Sequence, residues 1–385
     1  MYVAPRYHTN QVPIMKGWAS MGAQVKFMVA YIGAVESHEY VDLYQMKPSW
    51  ITRIVNRYLY RKYDKSTAQY KTGKYFIPAF TKLYKQIKAF EPDFVILRNY
   101  SLGNIVFVLV CRMLGIRNLI IYLQEPLYGE HIRSNFIKRI VQHLFFPSVV
   151  FTPVLYKGKE RTKDRLSGRA KYFVPLICDK PVEFRKEYCL DGKIRILDVG
   201  KYRPYKNHFF IVDALSQVEH REMFEMTIIG QLSNSVEQAY FDKLKTYVKE
   251  KGLESIIHLH GNVDYNEMNE VYKKHDVLII ASRELASISV LEAMSKGLCV
   301  VSSIDNGTSC YLDEYNSGIT CYIEQINSIV GILNNLSRNT ESIKTIGNMA
   351  QQIVMKQLGF KNYYEGIKNI LKSEYDFHID EIPNY

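Results

Sequence analysis

Short apolar strands alternate with helix-length segments along most of the chain, and this rhythm constrains the fold more than any other feature. In the first half, strands are predicted at residues 2–5, 25–31, 94–97, 119–122 and 149–152. In the second half, they are predicted at residues 194–200, 226–229, 256–260, 277–280 and 299–302. Strands that alternate with helices usually form a parallel sheet with helices on both faces. The sequence therefore predicts an α/β fold with two Rossmann-like, doubly wound domains.

The polar segment at residues 179–193 interrupts this rhythm, because it carries a proline and ends close to an Asp-Gly pair. Such a composition is typical of an interdomain linker. We predict an N-terminal domain at residues 1–178 and a C-terminal domain at 194–357, facing each other across a cleft. Residues 358–385 have apolar positions at helical spacing, and we expect a helix and tail that can pack back on the N-terminal domain.

The composition is that of a globular protein, with 47% hydrophobic and 23% charged residues among 385. The chain opens on a predicted strand without the features of a secretory signal, and no run reaches about 18 apolar residues. The six cysteines include no Cys-x-x-Cys pair and have no histidines beside them at zinc spacing. We therefore expect a cytoplasmic protein with reduced thiols.

Almost all of the net charge of +11 lies in one segment, residues 47–90. It contains eleven basic residues against the single acid Asp64, together with ten aromatic residues. An anionic membrane surface favours such a mixture, at about 1 kcal/mol for each Lys or Arg near the lipid. Nucleic acid also attracts basic stripes, and solvated helix faces over an aromatic core would give the same composition. We expect the segment to rest on the inner face of the membrane and not to bind nucleic acid.

A lysine-bearing loop follows the first strand of the second half. Gly200 permits a tight turn, and Lys201 and Lys206 then lie near a predicted helix N-terminus, where backbone N–H groups favour an anion. The loop is thus a candidate diphosphate site, although ordinary surface lysines would give the same pattern. The next two strands end in Gly230 and Gly261, which suggests that the backbone closely approaches a flat base or ribose.

Two glutamates, Glu284 and Glu292, follow the fourth strand of the second half. We place the first in a loop and the second about two turns into the next helix, roughly 12 Å away along the axis if the whole stretch is helical. At that distance the two carboxylates are too far apart to share a proton, but they could bind the two ends of an extended ligand. Ligands of open parallel sheets bind at the carboxyl ends of the strands. A capping residue and a solvated side chain are the ordinary alternative.

The order and spacing of these motifs resemble the retaining GT-B glycosyltransferases of family 4, of the bacterial surface-polysaccharide type. The similarity covers residues 194–340, whereas the first half is similar only in its strand-helix rhythm. The resemblance implies a GT-B fold and a metal-independent transfer of a sugar, with retention of configuration, from a UDP- or GDP-linked donor. It implies no other cofactor, and we find no Asp-x-Asp, the usual metal-binding signal of the other glycosyltransferase fold.

The resemblance also implies roles for individual residues. Lys201, where the family usually has Arg, and Lys206 would hold the donor diphosphate and stabilise the leaving group, and Glu292 would bind the ribose. Glu284 would face the donor sugar, and because Leu285-Ala286 replaces the family's Phe-Gly, the sugar pocket is expected to differ. The residues that complete the implied donor site are Gly200, Gly230, Gly261, Val263, Ala286, Ser287 and Ile288.

Polar residues at strand ends of the first half are candidates for contact with the acceptor. The family often has a glycine-rich loop after its first strand, where this chain has His8, Asn10 and Gln11. They could touch the sugar or the acceptor, or cap a helix. Gln124 and Glu125 stand where many relatives use a histidine. Either could bind acceptor hydroxyls, and Glu125 could act as a base, but a buried structural pairing fits equally well.

These features predict a peripheral glycosyltransferase that adds a sugar to a lipid-linked saccharide acceptor in capsule or O-antigen biosynthesis. A sugar-nucleotide epimerase of GT-B shape stays open, and it would turn over donor without an acceptor. A non-catalytic, glycosyltransferase-like partner subunit also stays open, and it would bind nucleotide without turnover. A dinucleotide oxidoreductase is disfavoured because no Gly-x-Gly-x-x-Gly motif follows either first strand.

Overall fold

The computed structural model describes residues 1–32, 38–63, 65–124, 136–155, 170–179, 186–264, 267–283 and 287–380. Within these ranges the chain forms two parallel β-sheets, each with apolar core clusters on both faces. The predicted α/β fold with two Rossmann-like domains is confirmed.

The first sheet is built from β1 Tyr2–Ala4, β2 Lys26–Val29, β3 Asp42–Gln45, β4 Val95–Arg98, β5 Leu119–Tyr122, β6 Val150–Thr152 and β7 Tyr172–Phe173. Their order across the sheet is β3-β2-β1-β4-β5-β6-β7, and every pairing is parallel. The helices of this half are α1 Val12–Ser20, α2 Trp50–Lys62, α3 Lys65–Tyr75, α4 Phe80–Phe90, α5 Leu102–Met113 and α6 Phe136–Phe145.

The second sheet is built from β8 Ile194–Val199, β9 Phe224–Gly230, β10 Ile257–Gly261, β11 Val277–Ile280, β12 Cys299–Ser303 and β13 Ile319–Cys321. Its order is β10-β9-β8-β11-β12-β13, again with parallel pairings. The helices that follow are α7 His208–Ser216, α8 Ser235–Glu250, α9 Met268–Lys274, α10 Ile288–Ser295, α11 Ser309–Tyr315, α12 Ile326–Arg338, α13 Glu341–Gln357 and α14 Phe360–Tyr375.

Three strands, β3, β7 and β13, were not predicted from the sequence, and all three lie at sheet edges. Their side chains are largely half-buried or exposed, unlike the fully buried run of β11. A strand buried on both faces gives a continuous apolar run that the sequence reveals, whereas a short, partly exposed edge strand gives a weaker signal.

Alternate residues of each central strand point to opposite faces of the sheet, as the strand geometry requires. In β11, Val277 and Ile279 pack in one core cluster, while Leu278 and Ile280 pack in the cluster on the other face. The sheet is therefore held from both sides, and its strand ends form a rigid platform for the loops that follow them.

The C-terminal helix α14 packs against the first sheet. The Tyr363 hydroxyl lies 3.0 Å from the Tyr2 hydroxyl, which also accepts a 2.7 Å hydrogen bond from Trp18 Nε1. Phe360 packs edge-on against Trp18, and its ring occupies the space that a Cβ at Gly17 would need. The chain thus returns after the second sheet to complete the core of the first.

Tyr311, in α11, joins the two halves of the chain. Its hydroxyl donates to the Pro153 carbonyl oxygen at 2.6 Å and accepts from the Leu176 N–H at 2.9 Å. Within the described ranges, no helix has the length and apolar character needed to cross a membrane.

Candidate functional site

Each sheet has a point where the strand order reverses, between β1 and β4 in the first and between β8 and β11 in the second. The loops that leave the carboxyl ends of such neighbouring strands diverge, and the crevice between them is the usual ligand site of open α/β sheets. Most of the residues that the sequence analysis selected follow three of these strands, β1, β8 and β11.

The lysine-bearing loop begins where β8 ends and leads through a 3-10 turn, Pro204–Lys206, into α7. The Lys206 side chain folds back over Gly200, so that a Cβ there would lie 2.6 Å from both Cε and Nζ of the lysine. Only 7% of Lys206 is exposed. The absence of a side chain at Gly200 therefore lets the Lys206 ammonium sit directly at the end of β8.

An ion pair fixes this loop. Arg203 Nε donates to Glu237 Oε1 at 3.1 Å, and the Glu237 carboxylate also accepts from the Ser233 N–H at 2.8 Å and its hydroxyl at 2.6 Å. Burial raises the pKa of Glu237, but these hydrogen bonds outweigh it and lower the pKa overall. The sequence analysis missed Glu237, although an Asn three residues before a Glu at a helix start is a recognisable capping signal.

Lys201 is exposed and faces other cations. Partial desolvation lowers its pKa, Glu237 opposes this, and Arg6, Arg203 and Lys206 lower the pKa further. Arg6 follows β1 of the first sheet, so cations from both halves of the chain meet here. This excess of positive charge suits an anionic ligand such as a diphosphate.

Asn207 links the lysine-bearing loop to the end of β11. It adopts a left-handed conformation with φ 57°, which Asn tolerates, and its Nδ2 donates to the Ala281 carbonyl oxygen at 2.7 Å. Beyond it, Arg283 Nε donates to Asp305 Oδ2 at 3.0 Å, and the same guanidinium pairs with Glu324. Glu284, Leu285 and Ala286 lie outside the described residues.

The helix that carries Glu292 begins later than the sequence suggested. It starts at Ile288, so Glu292 lies just over one turn inside α10 and the 12 Å estimate for a fully helical stretch does not apply. The half-buried Glu292 accepts a 3.0 Å hydrogen bond at Oε2 from the Tyr272 hydroxyl. At the helix start, Ser287 Oγ lies 2.6 Å from Ser289 Oγ.

Gly230 and Gly261 have packing explanations. A Cβ at Gly230 would lie 2.4 Å from the Gly200 carbonyl oxygen and 2.7 Å from the Tyr202 ring, and a Cβ at Gly261 would lie 2.5 Å from Leu232. Their nearest neighbours are thus protein atoms, and the predicted approach to a flat ligand is not needed to explain them. Val263, just after β10, packs against the apolar cluster beneath α10.

The polar residues after β1 do not cap a helix through their side chains. No side-chain cap is formed at the 3-10 turn Thr9–Gln11 or at the start of α1, and both Asn10 and Gln11 are buried. His8 accepts at Nδ1 from Arg6 Nε at 3.3 Å. Burial, then Arg98, Arg6 and Lys201, lower the pKa of His8 to about 2, so its imidazole is neutral at physiological pH.

Gln124 takes part in a buried pairing, because its Oε1 accepts a 3.0 Å hydrogen bond from Arg98 Nη2. Glu125 lies outside the described residues. Arg6 and Arg98 were not selected from the sequence, although a basic residue at the end of each strand flanking a predicted switch point is a usable signal.

Comparison with known proteins relates the C-terminal half of the chain to glycosyltransferases. Residues 179–353 match the family model "Glycosyl transferases group 1". Mannosylfructose-phosphate synthase from Agrobacterium fabrum is 26% identical over 127 residues, which are 32% of this chain and 28% of that protein. The match therefore spans less than a third of the relative's length.

Several solved structures resemble the whole fold. Alr3699/HepE from Anabaena, in complex with UDP and glucose, has a TM-score of 0.67 at 15% identity and covers 97% of this chain and 100% of its own. WaaG, a glycosyltransferase involved in lipopolysaccharide biosynthesis, has a TM-score of 0.61 at 12% identity, covering 96% and 98%. The chain thus has a GT-B fold, and its residues 179–353 match the glycosyl transferases group 1 family.

Proposed function

We propose that the protein is a retaining, metal-independent glycosyltransferase that moves a sugar from a UDP- or GDP-linked donor to a saccharide acceptor. The observation that carries this proposal is the placement of Lys206 over Gly200, at the switch point of the second sheet, beside Lys201 and opposite α10. The UDP complex of HepE supports a UDP-linked donor.

In the proposed reaction, the bond between the sugar C1 and the diphosphate oxygen breaks while the acceptor hydroxyl forms a new bond to C1 on the same face. The hydroxyl proton passes to a phosphate oxygen of the leaving group. Lys201 and Lys206 stabilise the negative charge that develops on the leaving diphosphate. Stabilisation of developing charge by fixed charges is usually the largest single contribution to enzymatic rate enhancement. Glu292 holds the ribose, and Glu284 faces the sugar without acting as a nucleophile.

Replacing Glu292 with Gln is expected to raise the KM for the sugar nucleotide by roughly tenfold to a hundredfold, because hydrogen bonds to a charged group contribute about 1.5–3 kcal/mol. The value of kcat should change little, since ribose binding is the same in the ground and transition states. Steady-state kinetics measure this. Tyr272→Phe, which removes only the hydroxyl that orients Glu292, should give a smaller change. An unchanged KM in Glu292→Gln would exclude the ribose role.

We also propose that the protein is cytoplasmic and peripheral on the inner membrane face, where it extends a lipid-linked saccharide of a capsule or O-antigen. Helix α2 supports this: Trp50, Ile54 and Tyr58, four residues apart, are 68%, 57% and 59% exposed. The exposed arginines alongside them are Arg53, Arg57 and Arg61. These three large apolar side chains are therefore not core residues. The involvement of WaaG in lipopolysaccharide biosynthesis is consistent with the proposal.

The triple variant Arg53→Gln, Arg57→Gln, Arg61→Gln is expected to weaken binding to anionic vesicles about a hundredfold, at about 1 kcal/mol for each arginine. Vesicle flotation measures the partition coefficient. The matched control changes three exposed lysines of α8, Lys243, Lys245 and Lys249, to Gln, which removes the same charge from the other half. Failure of the wild-type protein to bind anionic vesicles, or an equal loss in the control, would contradict the membrane proposal.

Incubation with a panel of sugar nucleotides, with and without saccharide acceptors and with and without EDTA, tests the activity itself. A transferase releases nucleoside diphosphate and forms a glycoside whose anomeric configuration NMR shows to be retained, with EDTA present or absent. An epimerase changes the donor without acceptor and without nucleoside diphosphate release. A non-catalytic partner binds nucleotide with no turnover, and its nucleotide affinity does not change in Glu284→Ala.

A further inference from the structure

The switch point of the first sheet carries two arginines. Arg6 follows β1, and Arg98 is the last residue of β4, the two strands between which the order reverses. The end of β4 is held rigidly, because Asn104 Nδ2 donates to the carbonyl oxygens of Arg98 and Asn99 at 2.9 and 2.8 Å. The backbone at Arg98 is therefore fixed at the crevice of the first half, and the proposed reaction gives this arginine no role.

The hydrogen bonds of Arg98 are incomplete. Its Nη2 donates to Gln124 Oε1 at 3.0 Å, and its guanidinium carbon lies 5.9 Å from the centre of the Tyr122 ring. Nη1 is shielded from water and has no hydrogen-bond partner among the described residues. A guanidinium has five N–H donors, and a buried charge without a counter-charge is costly. An anionic ligand would remove that cost.

Among the described residues, the groups that shift the pKa of Arg98 electrostatically are cationic or neutral at physiological pH. Burial lowers the pKa of Arg98, the Tyr122 phenol opposes this, and Arg6 lowers the pKa further. The positive charge of Arg6 lowers the pKa of Arg98 and also that of Lys201 in the second half of the chain. Arg6 is therefore within electrostatic range of both Arg98 and Lys201. Arg98 ends a strand of the first sheet, the half in which the acceptor contacts are expected.

A polar cavity of about 200 Å³ lies nearby, between the ends of β2 and β3 and helices α2 and α3. The side chains that can bind sugar hydroxyls there belong to Tyr31, Gln45, Asn56, Gln69 and Thr72. Tyr31 also contributes to the electrostatic environment of Arg98 and raises its pKa. Arg98 does not line the cavity, but Tyr31, which does, is within electrostatic range of its guanidinium.

We propose that Arg98, with Arg6 beside it, binds a phosphate group carried by the acceptor, so that the acceptor substrate is a phosphorylated saccharide. This inference rests on the proposed glycosyltransferase function and assigns the substrate class of its acceptor side. Arginine suits this task, because its planar fork binds two oxygens of one phosphate. The phosphate can belong to a soluble sugar phosphate or to a lipid-linked saccharide. Both would present the same phosphate group to Arg98.

Calorimetric titration of inorganic phosphate into protein already saturated with UDP tests the inference, because UDP occupies the donor lysines. We expect a second anion to bind the wild-type protein, with affinity lowered roughly tenfold to a hundredfold in Arg98→Gln and less in Arg98→Lys. The affinity for UDP should be unchanged in both variants, which also shows that they fold. Arg117→Gln, which removes an exposed arginine before β5, should bind both anions normally.

Three results would overturn the inference: no binding of phosphate to the UDP-saturated wild-type protein, a loss of UDP affinity in Arg98→Gln as large as the loss of phosphate affinity, or an unchanged phosphate affinity in Arg98→Gln. The second result would assign Arg98 to the donor site. If no nucleoside diphosphate binds the wild-type protein, the proposed function itself fails, which is a different outcome. Titration with glucose 6-phosphate and with dodecyl phosphate separates the two sources, since the tighter ligand identifies a soluble or a lipid-linked acceptor.

Discussion

Replacing Lys206 with Met is expected to lower the rate of sugar transfer by roughly a hundredfold to a thousandfold, the usual effect of removing one group that stabilises a developing negative charge. The Lys206 ammonium is held at the end of β8 against Gly200, and only 7% of the residue is exposed. A charge in such a partly desolvated position is worth more than one in water. Methionine keeps the aliphatic stem and its packing, so that the fold should be retained.

The measurement is kcat and kcat/KM for transfer with the sugar nucleotide that gives turnover. The matched control, Lys243→Met, removes an exposed lysine of α8 and should keep wild-type rates. A kcat within twofold of wild type in Lys206→Met, with normal thermal stability, would show that this ammonium does not assist the leaving group.

Substitutions at two glycines should separate an effect on the free energy of unfolding from an effect on the rate of sugar transfer. Gly230→Ala should lower the free energy of unfolding by about 3 kcal/mol, at the upper end of the usual range for overpacking. Its new Cβ would meet the Gly200 carbonyl oxygen at 2.4 Å and the buried Tyr202 ring at 2.7 Å. The Tyr202 hydroxyl lies within hydrogen-bond distance of two carbonyl oxygens, those of Ile228 and His260, so the ring cannot move aside easily.

Gly200→Ala should behave differently, because the three atoms nearest to its Cβ would all belong to the far end of the Lys206 side chain. That end can move at little cost in stability, but the ammonium then leaves its position, and transfer should fall at least tenfold. Chemical denaturation and steady-state kinetics on both variants measure the two effects. Full activity in Gly200→Ala, or equal loss of stability in both, would contradict the role given to the contact between Gly200 and Lys206.

The fold follows from the sequence because the central strands are buried on both faces and give continuous apolar runs. Strand β11 is an example, since all four of its residues are buried. The start of α10 at Ile288 was not predicted, because apolar spacing continues through the preceding residues and does not mark where the helix begins. Lys201 and Lys206 could be selected because they follow a strand and precede a helix within a few residues.

The contacts that hold the site could not be read from local patterns. Arg203 pairs with Glu237, 34 residues away, and Arg98 pairs with Gln124, 26 residues away. Which cation faces which partner depends on the strand order, and local sequence patterns carry no direct signal of that order. The position of Lys206 over Gly200 depends likewise on the 3-10 turn Pro204–Lys206, which reverses the chain.

The central claim is that the lysines at the end of β8 bind the diphosphate of a sugar nucleotide. Calorimetric titration of UDP and GDP into the wild-type protein and into Lys206→Met tests it most directly. We predict that at least one of the two nucleotides binds the wild-type protein, and that its affinity falls at least tenfold in the variant. Absence of binding to the wild-type protein, or equal affinity in the variant, would contradict the claim.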